Sequence, residues 1–196
     1  MQEVAVLAVV ERPILMSAPM VRATLRAENP KTQTRRVVKP RDLAWMDEHQ
    51  GLREPCNAER CPYGRPVDQL WVREAWAYNP DFPGIASRAC FRADPEHKHD
   101  GLKWKPSIHM PHAVSRIQLE VTDVRVERLQ DINETDAAAE GITCDSDGWT
   151  DYSMPSTQCC WSPKDSYRTL WESINGPGSW DLNPWVWVIA FRRIKP

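Results

Sequence analysis

The alternation of apolar and polar residues is clearest over residues 115–128. Odd-numbered positions are apolar as far as Val121, and this period of two predicts a strand with one buried face. From Val124 onward the even-numbered positions are the apolar ones. Because one extra residue exchanges the two faces of a strand, we expect a β-bulge near Thr122 and Asp123.

Several shorter segments also have the composition of strands. The closing segment, 185–191 (WVWVIAF), is apolar throughout, which predicts a central strand covered on both faces. Short apolar stretches bounded by turn signals predict four more strands, over 13–17, 34–38, 69–74 and 88–92.

Start and stop signals predict a helix near the N-terminal end of the sequence. Ser17 is a favoured N-cap residue, and Pro19 is tolerated in the first turn that would follow it. The segment continues through Val21 and Leu25. We expect the helix to end before Asn29-Pro30, because the residue before a proline is disfavoured in helical space.

Two further helices have signals at both ends. A short one is predicted between Asn133 as N-cap and Gly141 as C-terminal stop. A longer one is predicted between Ser162, followed by Pro163, and Gly176. Its apolar positions follow the i, i+3, i+4, i+7 spacing of one buried stripe: Tyr167, Leu170, Trp171 and Ile174.

The remaining stretches lack periodicity. We predict long loops over 40–65, 94–112 and 142–161, and an N-terminal extension over 1–11. The loop 142–161 carries three aromatic residues and is either a lid or a surface insertion. Because 196 residues is the size of one domain, we expect a single α+β domain over 1–196, a small β-barrel with a few short helices and these loop insertions.

Composition excludes two classes of protein. Charged residues are 27% and hydrophobic residues 41% of the chain, and the net charge is -2, which excludes a disordered acidic or basic tail. No apolar run approaches the roughly 18 residues that a membrane span needs. The apolar N-terminal segment also lacks the basic start of a secretory signal, so we expect a cytoplasmic protein.

The cysteines and histidines leave two readings open. None of the 6 cysteines forms a C-x-x-C pair, which favours free thiols. As an alternative, the histidine pairs 97/99 and 109/112 would join Cys56 and Cys61 around zinc. We expect the first reading, with no metal and no cofactor.

Charge is unevenly distributed along the chain. Residues 1–41 carry eight basic and three acidic groups, so that this segment has a charge of +5 and the remainder -7. A basic segment on an acidic protein indicates either a local anion site or a solvated face balanced by acids elsewhere in the fold.

The densest polar cluster of this basic segment lies over 29–39 and contains a pair with chemical potential. Lys31 and Thr34 are three residues apart, a spacing that in a turn brings an ammonium near a hydroxyl. A threonine hydroxyl becomes a nucleophile when a base takes its proton, and a lysine can do so when burial or neighbouring cations lower its pKa. Arg35 and Arg36 are such cations. Simple solvation of the pair is the alternative.

The run from Lys31 to Arg36 (KTQTRR) resembles the G-x-K-[TS]-x-[TE]-x-R signature of the ASCH domain, a branch of the PUA-like superfamily. Further segments resemble that family in the same order: 66–72 its G-D-x-L-x-V strand entry, 136–141 its acidic helix and 187–191 its closing strand. Strings such as LWVRE and WKPSIHMP resemble bacteriophage and prophage ASCH proteins. The chain departs from the pattern at Glu28-Asn29-Pro30, Val67 and Ala190.

The resemblance implies a PUA-like β-barrel with a cleft for a nucleobase, a nucleoside or RNA, in a phage- or prophage-encoded protein of the bacterial cytoplasm. It also implies hydrolysis of the amide of N4-acetylcytidine. Carried over by motif, Lys31 is the general base, Thr34 the nucleophile and Glu140 the acid that protonates the leaving amine. Glu74 is the substitute acid if Glu140 points away from the cleft.

Further residues are candidates for contact with the substrate. Aromatic rings stack on any nucleobase, and the candidates are Trp71, Trp76 and Trp104, with packing in the core as the alternative for each. Three basic residues would hold a phosphate: Arg35, Arg36 and Lys39.

Three functions therefore follow from the sequence. The first is an amidohydrolase acting on an N4-acylated cytidine or a related modified nucleoside. The second is a module that binds RNA or a modified base without turnover. The third is an ASCH-type ribonuclease, in which Lys31 and the arginines stabilise a phosphorane. The expected partners are a modified nucleoside or RNA, and no membrane.

Overall fold

The computed structural model describes residues 8–48, 60–95, 101–154, 156 and 159–195. Within these ranges four α-helices are present: α1 (Ala18–Leu25), α2 (Pro40–Glu48), α3 (Glu134–Ala139) and α4 (Pro163–Asn175). The first five strands are β1 (Glu11–Leu15), β2 (Gln33–Val37), β3 (Gln69–Arg73), β4 (Trp76–Ala77) and β5 (Cys90–Phe91). The others are β6 (Gln118–Arg128), β7 (Cys144–Asp145), β8 (Gly148–Thr150), β9 (Cys159–Cys160) and β10 (Trp185–Lys195).

The main sheet has five strands in the order β1-β3-β6-β10-β2. Strands β1 and β3 are parallel, and the other pairs are antiparallel. The predicted α+β class is confirmed. The edge strands β1 and β2 share no ladder in the described ranges, so closure into the predicted barrel is not confirmed. A side-chain contact nevertheless joins the two edge strands, since the Arg36 guanidinium on β2 donates to the Leu15 carbonyl on β1 across 2.9 Å.

The two long strands at the centre of the sheet agree with the predictions. In the pairing of β6 with β10, Ala190 lies opposite Asp123 and Phe191 opposite Val121, so Thr122 is the extra residue of the predicted bulge. Strand β10 is covered on both faces. Its even-numbered valines pack in one core cluster, and its odd-numbered residues, including Trp187, pack in another.

The helix ends agree with the predictions in two cases of three. The Asn133 side chain accepts from the Asp136 N–H at the start of α3, and Ser162 accepts from Asp165 at the start of α4. Ser17 precedes α1, but its side chain makes no capping hydrogen bond. Helix α1 begins after this residue through its backbone alone, since the Ser17 carbonyl accepts from the Val21 N–H.

Two predicted loops contain regular structure. The segment 40–65 begins with α2, where Met46 and the partly buried Leu43 and Trp45 pack on the main core. The apolar pattern missed this helix because the three side chains fall within one turn and make no helical repeat. The segment 142–161 contains the small antiparallel sheet β7-β8-β9. Residues 49–59 of the first loop, 96–100 of the loop 94–112 and 1–7 of the N-terminal extension lie outside the described residues, and Glu11 begins β1.

The helices of the described residues are short. None of these helices is both long enough and apolar enough to cross a bilayer. The longest, α4, has 13 residues, fewer than the roughly 17 that a span requires.

A strained turn leads into β3. The Asp68 N–H donates to the Arg65 carbonyl, which closes a β-turn with Pro66 and Val67 at its centre. Val67 has a φ of 76°, in the left-handed region that this turn type requires at its third residue and that normally selects glycine. The position is the one at which the ASCH pattern has glycine.

We predict that Val67→Gly stabilises the protein. Relief of left-handed strain is worth about 1–2 kcal/mol, whereas the added chain entropy of glycine costs about 0.5–1 kcal/mol. Little apolar burial is lost, because Val67 is 55% exposed. The free energy of unfolding in denaturant should therefore rise by about 0.5–1 kcal/mol.

The matched control is Val9→Gly, since Val9 is 52% exposed and is not among the positive-φ residues. This substitution should leave stability unchanged or lower it. Destabilisation by Val67→Gly would show that the turn does not strain the valine.

Candidate functional site

One small cavity collects most of the polar residues singled out in the sequence. Its volume is about 100 Å³, and it lies among β2, the C-terminal end of α3 and the facing sides of α1 and α4. The structure brings the three predicted catalytic residues to its wall: Lys31, Thr34 and Glu140. Each is nearly inaccessible to solvent, at 3%, 1% and 5% exposure respectively.

The backbone fixes Lys31 between two helices. Its N–H donates to the Ala23 carbonyl of α1, and the N–H of Thr32 donates to the Ala139 carbonyl of α3, each at 2.9 Å. Asn29 precedes this segment with a φ of 46°. Asparagine tolerates this left-handed conformation, so the chain turns into β2 without the glycine that the ASCH pattern places before the lysine.

Gly141 allows Glu140 to approach Lys31. It ends α3 with a φ of 84°, and a Cβ at this position would lie 2.7 Å from the Lys31 Cβ and 2.9 Å from the Ala23 Cβ. Only glycine meets both demands without displacing the lysine. The close packing of the α3 terminus against Lys31 therefore depends on this residue.

Lys31 and Glu140 form a buried ion pair. The lysine Nζ donates to the Glu140 Oε2 at 2.6 Å and to the Glu140 backbone carbonyl at 2.8 Å. Burial lowers the pKa of Lys31 below 10.5, and this effect outweighs the attraction of Glu140, which raises it. Arg36 and Arg35 lower the pKa further. A lysine in this setting gives up a proton more readily than a lysine in water.

Arg35 holds the other oxygen of the same carboxylate. Its Nη1 donates to the Glu140 Oε1 at 3.1 Å and to the Gln33 Oε1 at 2.7 Å. Its Nη2 donates to Glu127 at 2.5 Å and to Asp136 at 3.3 Å. Burial opposes its charge, but the carboxylates outweigh burial and the pKa of Arg35 is raised. Arg35 was predicted to hold a phosphate; instead, three carboxylates of the protein already occupy its guanidinium.

Thr34 and Tyr167 complete the cavity wall. Thr34 lines the cavity, and its hydroxyl makes no hydrogen bond within the described part of the chain. Tyr167 is buried, and burial raises its pKa well above the usual range, with a further contribution from Glu140. The phenol therefore keeps its proton and can donate a hydrogen bond. The sequence placed Tyr167 only in the buried stripe of α4.

Arg36 and Lys39 have different positions. Arg36 lines the cavity while it donates to the Leu15 carbonyl. Lys39 is exposed just before α2, where its carbonyl accepts from Asp42 and Leu43, and it is not part of the cavity wall. Of the three predicted phosphate contacts, Arg36 is thus the one placed to meet a ligand.

Glu74 does not serve as the substitute acid of this cavity. It is buried elsewhere, and Arg116 donates to its two oxygens at 2.9 Å and 3.2 Å. Burial raises the pKa of Glu74 although the hydrogen bonds and the charge of Arg116 lower it. Because Arg116 also binds Asp94, the three side chains form a structural network of their own.

The three predicted stacking tryptophans are not in the wall of this cavity. Trp76 is 2% exposed and packs in a separate core cluster with Phe91 and Met110. Trp71 is half-buried with its ring against His112 at 4.9 Å, and the half-buried Trp104 lies in the segment that bridges to Trp76. The large apolar area of a tryptophan favours packing within the protein over exposure to a ligand site. Packing in the core was the alternative prediction for each of the three.

Helix α4 contributes residues that the sequence placed wholly in the core. Tyr167 and Trp171 are buried, but Leu170 is half-buried and Ile174 is 59% exposed. Leu170 and Ile174 line the cavity and continue beyond it. The helical period correctly identified one apolar stripe, but it could not separate the half that packs from the half that faces a cleft.

The zinc alternative has no structural counterpart in the ranges described. No group of three or more histidine, cysteine or acidic side chains has the arrangement of a metal site there. Cys56, His97 and His99 lie outside the described residues. The five described cysteines are free thiols.

Comparisons with known proteins found no match from which a function of this cavity could be inferred. No protein-family model, curated protein or solved structure matches the chain. The resemblance to the ASCH family stays a prediction from its motifs, and the geometry of the cavity is the basis for a functional proposal.

We predict that Lys31 makes stability depend on pH in alkaline solution. Its pKa is lower in the folded protein than the 10.5 of an unfolded chain. Between these two values the unfolded state binds the extra proton, so the free energy of unfolding gains a contribution that rises with pH. Wild-type protein should therefore gain stability relative to Lys31→Met as the pH rises from 8 towards 10.

Denaturant unfolding of both proteins across this range measures the difference. Burial raises the pKa of Cys61 to about 12, which acts in the opposite direction, but it acts in both proteins and cancels. A difference that stays constant, or that moves in favour of the variant, would contradict the lowered pKa.

A second prediction concerns Gly141. Gly141→Ala should destabilise the protein by about 2–5 kcal/mol, because left-handed strain adds to a steric clash with Lys31. Gly84 is a matched control, since its φ is 81° and nothing lies within 4 Å of an added Cβ. Gly84→Ala should cost only the strain, about 1–2 kcal/mol. Equal losses in denaturant unfolding would show that the α3 terminus does not pack as tightly as described.

Proposed function

We propose that the protein is an ASCH-like amidohydrolase that cleaves the amide of an N4-acylated cytidine or a related modified nucleoside. One observation carries the proposal: an ammonium, a hydroxyl and a carboxylate from distant parts of the chain line one cavity. Lys31 and Glu140 are 109 positions apart. The closed PUA-like barrel, the phage or prophage origin and the cytoplasmic location belong to the same proposal as predictions.

The first half of the reaction transfers the acyl group to Thr34. The ion pair first passes one proton from the Lys31 ammonium to Glu140 across their 2.6 Å hydrogen bond, which leaves a neutral amine and a carboxylic acid. Neutral Lys31 then takes the proton of the Thr34 hydroxyl as the oxygen attacks the carbonyl carbon of the amide. The tetrahedral intermediate expels the cytidine amine, whose nitrogen takes the proton of Glu140, and the Lys31 ammonium replaces that proton, so that Thr34 has lost one proton and the amine has gained one.

Hydrolysis of the acyl ester returns the protein to its starting state. Neutral Lys31 takes a proton from water, the resulting hydroxide attacks the ester, and the proton returns to the departing Thr34 oxygen. The neutral Tyr167 phenol is a donor for the oxyanion that forms in both halves. Arg35 holds the Glu140 carboxylate in place, and no metal or cofactor takes part.

A second candidate is a module that binds a modified base without turnover. The Lys31 ammonium donates to two oxygens of Glu140, an arrangement that retains the proton on nitrogen. Such a pair would give a rigid, polar floor to a base-binding cavity. The ribonuclease alternative has less support, because Arg35 is bound by carboxylates and is not free to stabilise a phosphorane.

We predict that purified protein converts N4-acetylcytidine to cytidine and that the cavity residues are required. Lys31→Ala, Thr34→Val and Glu140→Gln should each lower kcat by at least about a hundredfold, the scale of a lost acid, base or nucleophile. Liquid chromatography of the released cytidine measures the rates.

The matched control is Lys39→Ala, which removes a nearby charge outside the cavity and should retain full activity. Circular dichroism of each variant separates loss of chemistry from loss of fold. Binding of N4-acetylcytidine without any cytidine release in the wild type would favour the binding module. Activity that survives in folded Thr34→Val would exclude threonine as the nucleophile.

A further inference from the structure

A wide apolar groove runs between α1 and α4 and has no role in the chemistry above. Its walls are formed by Pro19, Met20 and Ala23 of α1 and by Leu170 and Ile174 of α4, and we call it the α1–α4 groove. Its volume is about 490 Å³, within the range of small-molecule sites and much larger than the cavity.

The α1–α4 groove adjoins the cavity. Met20, Leu170 and Ile174 belong to the walls of both, so these three apolar side chains form the boundary between the groove and the cavity that holds Lys31, Thr34 and Glu140. Ile174 is 59% exposed at this junction. Together with Pro19, Met20 and Leu170 it forms a contiguous apolar surface, which is a feature of ligand-binding grooves.

Most of the polar side chains along the groove have partners in the protein, and the exception, Ser17, is exposed to solvent. Arg22 donates to the Ala93 carbonyl, and Arg26 donates to the carbonyls of Gly141 and Ile142. The Ser173 hydroxyl donates to the Leu170 carbonyl, and the Tyr152 hydroxyl accepts from the Thr143 N–H. A cytosine ring in this groove would need hydrogen-bond partners for its donors and acceptors, whereas a hydrocarbon chain needs no hydrogen-bond partners.

The cavity has a different, polar boundary for the base. Arg36 and Asn175 belong to its wall and are absent from the wall of the groove. Both carry side-chain donors, which cytosine O2 and N3 can accept. With the scissile carbonyl at Thr34, the nucleoside then lies towards Arg36 and Asn175 and the acyl group lies towards Met20 and Ile174.

We propose that the α1–α4 groove binds the acyl chain of the substrate, so that the protein acts on N4-acylcytidines with acyl groups substantially longer than acetyl. This inference rests on the proposed function for the reaction itself. Each buried methylene is worth about 0.8 kcal/mol, or about fourfold in affinity.

The test compares N4-acetylcytidine with N4-hexanoylcytidine. We expect kcat/KM to be at least tenfold higher for the hexanoyl substrate. Ser173→Trp, which places a large ring in the groove from an exposed position, should reduce the ratio of hexanoyl to acetyl kcat/KM by at least tenfold. Arg168→Trp adds the same ring to the exposed surface of α4 away from the groove and should leave the ratio unchanged. Equal kcat/KM values for the two substrates, or a ratio insensitive to Ser173→Trp, would overturn the proposal.

Calorimetric binding to Thr34→Val separates this proposal from the proposed function. If no acylcytidine is hydrolysed by the wild type, yet Thr34→Val binds the hexanoyl compound at least tenfold more tightly than the acetyl compound, the groove assignment stands and the hydrolase fails. Hydrolysis by the wild type that does not depend on the length of the acyl chain would support the hydrolase and overturn the groove assignment. Equal affinity of Thr34→Val for the two compounds overturns the groove assignment.

Discussion

The contact between Lys31 and Glu140 is the constraint on which the rest of the site depends. Two charges removed from water cost several kcal/mol each, and their mutual attraction repays this only when the geometry is close and every remaining donor and acceptor is bound. Here the lysine Nζ has two acceptors on one residue, and the second carboxylate oxygen is bound by Arg35. The pair therefore fixes the segment just before β2 relative to the end of α3.

The arginine behind the pair extends this constraint into the main sheet. Arg35 lies on β2 opposite Val188 of β10, and its guanidinium reaches Glu127 on β6 and Asp136 on α3. Three elements thus converge on one fully buried cation. Such a network holds the Glu140 carboxylate in a single orientation. It also satisfies the charge of Arg35, whose side chain has no contact with solvent.

The sequence was informative where one local rule decides the structure. The phase change at Thr122 predicted the bulge, and the cap signals at Asn133 and Ser162 predicted two helix starts, because each depends on neighbouring residues alone. Helix α2 was missed since its apolar side chains are confined to one turn, 43–46, and it packs on a core formed by distant parts of the chain. The hydrogen bond between Arg36 and Leu15, which joins the two edge strands, was likewise not visible in any local pattern.

The candidate site shows the same difference between features that neighbouring residues determine and features that long-range packing determines. Spacing singled out Lys31 and Thr34, but no periodicity or spacing could pair Lys31 with Glu140, which was identified by the resemblance to a family. Tyr167 and Ile174 share one helical stripe, yet one is a buried donor and the other an exposed wall of a groove, a difference set by which elements cover each turn of α4. Trp76 was a candidate for stacking on a base, but its indole is buried in a separate core cluster, as the large apolar area of this side chain favours.

Burial lowers the pKa of Lys31, so that this lysine releases its proton more readily than a lysine in water, although the Glu140 carboxylate contacts it. Nuclear magnetic resonance of the lysine side chains, with the Lys31 signal assigned by its loss in the methionine variant, measures the titration of this one amine. The account predicts a pKa below 10.5 for Lys31 in the folded protein. A value at or above 10.5 would mean that the ion pair dominates over burial, and Lys31 could then not act as the base.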